Sequence, residues 1–161
     1  MSQIPLSYRQ PTKEELLFIF SSWIRSYAES QHNQIRKELK DPSTNKYQPK
    51  PDYFGYQHLL IRSILSRDTT NLLVAVDPNL PSELLAYIVY EERGPVLVCH
   101  WLYTKHTFRK LGISKELLNH AKSNTDELVF THLGSKYHKI KNNYGSHLYI
   151  RQWAFKSPGE K

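Results

Sequence analysis

The residues whose types and spacing best suit chemistry are Arg109-Lys110-Leu111-Gly112-Ile113-Ser114. Gly112 stands where a helix begins, and a helix start presents N–H groups and a positive dipole end that attract phosphate. Glycine removes the side chain where a pyrophosphate would approach the backbone. Ser114 adds a small hydroxyl in the first turn, and Arg109 and Lys110 add positive charge at the mouth. Together these types suit a diphosphate seated on backbone amides. The spacing is neither common nucleotide signature: it lacks a Gly-Lys-Ser/Thr ending and a three-glycine fingerprint. Taken alone, the six residues fit equally an ordinary helix start flanked by solvated cations. The eight histidines contain no His-x-x-x-His pair with an acidic partner, so no metal site is expected. Cys99, the single cysteine, lies among apolar neighbours and reads as a small hydrophobe rather than a nucleophile.

That turn needs a strand before it and a helix behind it, and both are legible. Pro95 to Tyr103 reads as the longest strand, and Ile113, Leu117, Leu118 and Ala121 recur on one face of the helix that Gly112 opens. Leu128 to His132 reads as the next strand, parallel to the previous one if the helix is a crossover. Upstream, Thr12 caps a helix with Glu14 and Glu15 in its first turn. Its apolar positions are Leu16, Leu17, Phe20, Trp23, Ile24 and Tyr27, and its end is expected near Ser30. Residues 41–51 read as a Pro-punctuated loop. A second helix runs from Tyr53 or Phe54 to Leu65, with Leu59, Leu60 and Ile64 inward. Leu72–Val76 and Leu84–Tyr90 read as a hairpin. A polar helix or loop follows from Ser135, and Leu148–Phe155 reads as a last strand. The order predicts an α/β (α+β) domain on one mixed sheet flanked by helices, spanning residues 1–161 as a single unit.

Composition sets the outer bounds. At 161 residues, 39% hydrophobic and 23% charged, the chain is globular rather than disordered. Met1–Leu6 lacks a basic segment followed by an apolar core, and no apolar run approaches the roughly 20 residues of a membrane span, so a cytoplasmic protein without a membrane partner is expected. A formal charge of +7 favours anionic partners: nucleic acid, a phosphorylated cofactor or an acidic surface. The basic stretch Lys136–Lys141, with Tyr137, Tyr144 and Tyr149 nearby, reads either as a nucleic-acid face or as a solvated helix face.

The stretch from Tyr103 to Leu118 resembles the donor motif of the GNAT superfamily of acyl-CoA N-acyltransferases, Gln/Arg-x-x-Gly-x-Gly/Ala at the start of the main helix. Arg109 and Gly112 match its first and fourth positions, and Ser114 replaces the Gly or Ala of the sixth. The element order from Trp23 to about Trp153 is similar as well, while Ser21–Tyr27 resembles the opening helix of GNAT-like proteins of tailed phages. The resemblance implies a GNAT-like mixed sheet and transfer of an acetyl or other acyl group from CoA to an amine by direct attack. It implies that backbone groups near Leu102 and Tyr103 bond the pantetheine arm. The pyrophosphate would lie on amides of Arg109, Lys110, Leu111, Gly112, Ile113 and Ser114. The amine acceptor and the oligomeric state stay open. Two variants stay open too: a Mom-like protein that modifies a DNA nucleobase, and a catalytically inactive GNAT-fold binding protein.

Such a reaction needs a base for the amine and an acid for the leaving thiolate. His100, nine residues before Arg109 and read as on the same side as Leu102, is a candidate base, and so is His132 at the end of the following strand. Family members often carry a carboxylate on that strand, where this chain has Val98 and Cys99. The family's acid is commonly a tyrosine after the fourth strand, and Tyr137 and Tyr144 are the candidates.

Overall fold

The computed structural model describes residues 2–38, 52–122, 125–132 and 148–155. The first helix, α1 (Lys13–Glu38), starts as the sequence predicts. Thr12 N–H donates to Glu15 Oε1 (2.9 Å) and Glu15 N–H donates to Thr12 Oγ1 (3.2 Å), a reciprocal capping box. Arg9 fastens the same carboxylate to the first strand, β1 (Ser7–Arg9), through two contacts of 2.6 and 2.8 Å. Helix α1 continues eight residues beyond the expected end at Ser30. Its buried stripe is Ile19, Trp23 and Tyr27, spaced four apart, with Ser22 beside it, while Leu16 and Leu17 are exposed. Leu17 lies about 200° around the helix from Ile19, which takes it out of the stripe.

The second helix, α2 (Asp52–Leu65), lies where the sequence places it, with Leu60, Ile61 and Ile64 buried and Leu59 exposed. The sheet then runs through β2 (Asn71–Asp77), β3 (Leu80–Arg93) and β4 (Val96–Thr104). At 14 residues β3, not β4, is the longest strand. After β4 come a single 3₁₀ turn (His106–Phe108), helix α3 (Ile113–Ala121) and β5 (Glu127–Phe130). The chain between Leu148 and Ala154 forms only a two-residue strand, β6 (Leu148–Tyr149), followed by a 3₁₀ turn, instead of one long strand.

The six strands lie in sequence order, β1-β2-β3-β4-β5-β6, antiparallel through β4 and parallel at β4–β5 and β5–β6. Helices α1 and α2 cover one face, over Val74, Val76, Tyr87, Val89 and Trp101. Helix α3 covers the other with Ile113, Leu117, Leu118 and Ala121, over Ala86, Ile88, Leu97, Cys99 and Phe130. The α1 side is pinned by the Ser22 Oγ–Tyr87 Oη hydrogen bond (2.7 Å), and Tyr87 Oη donates as well to Ile19 O (3.2 Å). No described helix is long and apolar enough to cross a membrane.

Candidate functional site

Two irregularities in β4 make the site. The first is an early end to pairing with β5. The parallel register covers only Val96–Cys99 against Glu127–Phe130, and Thr131 N–H adds a last bond to Cys99 O at 3.1 Å. Beyond that point β4 runs on through Thr104, still paired with β3 as far as Thr104 opposite Ala86. From His100 onward its other edge has no strand partner among the described residues. A parallel pair that parts at its carboxyl end leaves backbone N–H and C=O groups lining a crevice, the usual ligand position in such sheets. Thr104 Oγ1, buried and without a hydrogen-bond partner among the described residues, closes the unpaired run.

The chain then meets α3 through a turn of unusual backbone. Lys110 and Gly112 both adopt positive φ, 67° and 78°. Gly112 is the residue ahead of α3 and caps it with no side-chain bond. The first intrahelical bond is Glu116 N–H to Gly112 O (3.2 Å), so the amides of Ile113 and Lys115 precede the first helical donor. Left-handed residues alternating with others turn successive N–H groups inward, an anion-binding concavity. Glycine at 112 adopts this conformation at no steric cost. Lys110 does so under strain, in a loop held by Gln3 N–H to Leu111 O (2.9 Å) and Arg109 Nε–H to Thr104 O (3.1 Å). The Arg109 guanidinium also lies 5.9 Å from the Tyr103 ring centre. Arg109 thereby ties the turn ahead of α3 to the end of β4 at Tyr103 and Thr104.

The second irregularity is a bulge at His100. Val89 pairs with Trp101 and Tyr90 with Cys99, so His100 is an extra residue on β4. The bulge breaks the strict alternation that would place His100 on the side of Leu102. Leu102 packs on the α3 side, whereas Trp101 joins the α1 cluster and His100 bonds into a buried polar group beside it. His100 is fully buried, and both ring nitrogens are engaged: Nε2 with Glu91 Oε2 at 2.6 Å and Nδ1 with Thr131 Oγ1 at 2.8 Å. Thr131 Oγ1 lies in turn 2.9 Å from His132 Nδ1. His132, 4% exposed, sits edge-on to the rings of Trp23 and Tyr27.

Glu91, on β3, is a member that the sequence reading does not single out. It accepts from Arg67 Nη1 (3.1 Å) and from the Thr69 hydroxyl, and it is 1% exposed. Burial would raise its carboxyl, but hydrogen bonds from His100 and Thr69 and the nearby Arg67 guanidinium outweigh that and hold it below the ordinary value. Burial pushes His100 down, more than Glu91 beside it pulls it up, and Arg67 adds to the downward push. At neutral pH the group is therefore an Arg67–Glu91 ion pair with a neutral His100. Burial also raises the Cys99 thiol well above its usual range, so it stays protonated and is a poor nucleophile.

Tyr137 and Tyr144 lie outside the described residues, as does the basic stretch Lys136–Lys141. A groove of about 320 Å³ opens between the start of α1 and β3, lined by Glu14, Glu15, Phe18, Ser82, Glu83, Leu84 and Lys105. Among the described residues no group of three or more His, Cys, Asp or Glu side chains is placed to hold a metal.

Neither a family model nor a curated protein sequence matches the chain. Solved structures do. A predicted acetyltransferase of Bacillus subtilis, YycN, superposes with a TM-score of 0.65 over 98% of this chain and 95% of its own, at 10% identity. A predicted acetyl transferase of Pyrococcus furiosus superposes with a TM-score of 0.55 over 88% of this chain and 93% of its own, at 16% identity. The chain therefore shares the fold of these two acetyltransferase structures.

Proposed function

We propose that the chain is an acyl-CoA-dependent N-acyltransferase, moving an acetyl or other acyl group from CoA to an amine. The observation that carries this reading is the continuity of the open β4 edge with the left-handed turn at Gly112. An extended pantetheine arm with amide groups suits an unpaired strand edge, and a pyrophosphate suits the amides at the start of α3. Leu102 and Tyr103 would meet the arm, and Arg109, Lys110, Leu111, Gly112, Ile113 and Ser114 the pyrophosphate. The thioester would then lie toward the point where β4 and β5 part, beside Thr131 and His132.

In this reading the amine attacks the thioester carbonyl directly, and holding the two in register supplies much of the rate. The N–C bond forms, the C–S bond breaks with its electron pair on sulfur, and one proton passes from nitrogen to sulfur. His132 stays a candidate base, whereas His100 is fully buried with both ring nitrogens engaged and does not reach an amine; Tyr137 or Tyr144 is the candidate acid for the thiolate. The net charge of +7 favours an anionic or nucleic-acid-linked acceptor. The test is CoA thiol release from acetyl-CoA across panels of small amines, peptides and DNA. Release above background with one acceptor class supports the reading, and donor binding with no release from any panel favours a binding protein instead.

A further inference from the structure

Residues 2–6, ahead of β1, cross the turn that opens α3. One end of this segment is fixed by β1, whose Ser7 pairs with Val76 and whose Arg9 pairs with Val74. Ile4, Leu6 and Tyr8 pack against the same apolar cluster as Phe108 and Leu111 of the turn, the cluster that includes Ile113 and Leu117 of α3. Tyr8 also stacks on His120 at the far end of α3, with ring centroids 4.0 Å apart. Two hydrogen bonds then reach the turn itself. Gln3 N–H donates to Leu111 O (2.9 Å), and Ser2 N–H donates to Glu116 Oε2 (2.6 Å).

The first bond has a directional consequence. Leu111 O and Gly112 N–H belong to one peptide unit, which is trans, and in a trans unit the two point in opposite directions. Anchoring the oxygen on Gln3 therefore turns the Gly112 N–H away from residues 2–6. It also keeps the carbonyl, with its partial negative charge, from swinging round to the side that this N–H faces. Lys110, one residue before Leu111, keeps its left-handed backbone only while its surroundings fix it. The second bond handles a charge. Glu116 lies in the first turn of α3, where its carboxylate would repel an anion at the helix start. Ser2 N–H draws that carboxylate toward the segment, and hydrogen bonding from Ser2 holds the carboxyl below its ordinary value.

We propose that residues 2–6 are a positioning strap for the donor turn, aiming the Gly112 N–H at the pyrophosphate of CoA and holding the Glu116 carboxylate aside. The ligand named here rests on the acyl-transfer reading, but the orientation of the Leu111–Gly112 peptide does not. Ser2 and Gln3 touch no reacting atom, so they act on donor affinity rather than on the transfer step. The coupling is reciprocal: a strap that favours CoA is itself favoured by CoA, by the same factor.

Amide hydrogen exchange in the intact chain tests this without a variant. A donor that binds only the strapped turn slows exchange of the Gln3 amide about 10-fold when free donor is at about ten times its Kd. The expected result is that slowing with CoA, and none with pantetheine, which lacks the pyrophosphate. The Glu15 amide, in the remote α1 cap, is expected to stay unchanged. Gln3 exchange that CoA leaves unaltered, or slowing of equal size with pantetheine or at Glu15, overturns the proposal. Gln3→Pro removes the N–H and Gln3→Ala keeps it. The proline variant is expected to bind CoA about 10-fold more weakly than the alanine one, the scale of one hydrogen bond to a charged group, with pantetheine affinity unchanged. Equal CoA affinity in the two, or an equal loss for pantetheine, overturns the strap. Glu116→Gln and Glu116→Leu both remove the charge, and only glutamine keeps an acceptor for Ser2. The leucine variant is expected to bind CoA about threefold more weakly than the glutamine one, and equal affinities overturn the role of Ser2. Failure of the wild-type chain to bind CoA counts instead against the acyl-transfer reading. The intraresidue Hα–HN NOE of Lys110, strong at positive φ and expected to be lost in Gln3→Pro, then still decides whether the strap holds the turn.

Discussion

Glu91 Oε2 lies 2.6 Å from His100 Nε2, and the two side chains are 1% and 0% exposed. A contact so deep between β3 and β4, with Arg67 closing its far side, couples the stability of the sheet to the geometry of the site. Removing one partner of a buried ion pair leaves a charge without compensation. Glu91→Ala should therefore cost about 3–5 kcal/mol. Glu91→Gln, which keeps the shape and one acceptor, should cost less. The urea midpoint at constant slope measures both, and a loss under 1 kcal/mol for the alanine variant would mean that the pair is not formed in solution.

The same pair sets the pH response. His100 has its folded value lowered, so the unfolded chain binds a proton near pH 6.5 that the folded chain refuses. The protons bound then favour the unfolded state, and stability falls as pH drops below about 6.5, by up to about 1.4 kcal/mol per pH unit for one group. Glu91, also lowered, contributes stability that is present above its unfolded value and lost only at more acid pH. His100→Gln should flatten the midpoint between about pH 6.5 and 5 relative to wild type. Parallel curves for the two proteins would contradict the burial of a neutral imidazole.

Thr12 and Glu15 give a control remote from the site. The Arg9 hydrogen bonds hold the Glu15 carboxyl down at about 2, and the pair with the Thr12 backbone adds to this. Its contribution is present above the unfolded value near 4.5 and is lost as pH falls toward 2. Thr12→Ala should cost about 1 kcal/mol of stability and leave acetyl-CoA affinity unchanged. A change in affinity would mean that the α1 start reaches the donor.

Gly112 has a different signature. Its φ of 78° penalises any side chain, so Gly112→Ala should cost about 1–2 kcal/mol from strain alone. Gly112→Glu should pay that strain and in addition abolish donor binding by placing a carboxylate where the pyrophosphate is expected. Donor affinity equal to wild type in the glutamate variant would remove the phosphate from this turn.

The parts of the molecule legible in sequence are those coded by local pattern. The Thr12–Glu15 cap, the α3 face of Ile113, Leu117, Leu118 and Ala121, and the parallel β4–β5 pair follow from capping chemistry and period. The bulge at His100 does not, because the residues on either side of it, Val96–Cys99 and Trp101–Tyr103, are apolar on both faces and offer no alternation to be broken. Glu91 was hidden for a related reason. In Glu91-Glu92-Arg93-Gly94-Pro95 it reads as one more polar residue before a turn, and only Arg67 and His100, brought in from other elements, make its burial tolerable. Strand β1 is three residues long and too short for a period, and in the α1 stripe Trp23 and Tyr27 follow the pattern while Ile19 does not, because the apolar yet exposed Leu16 and Leu17 mask it.

The central claim, a CoA donor on the open β4 edge and the Gly112 turn, is tested most directly by titrating isotope-labelled chain with CoA and following backbone amide resonances. Saturable shifts centred on Leu102, Tyr103 and Arg109 to Ser114, absent in Gly112→Glu, are the predicted result. No shift at millimolar CoA, or shifts confined to residues away from β4 and α3, would contradict it.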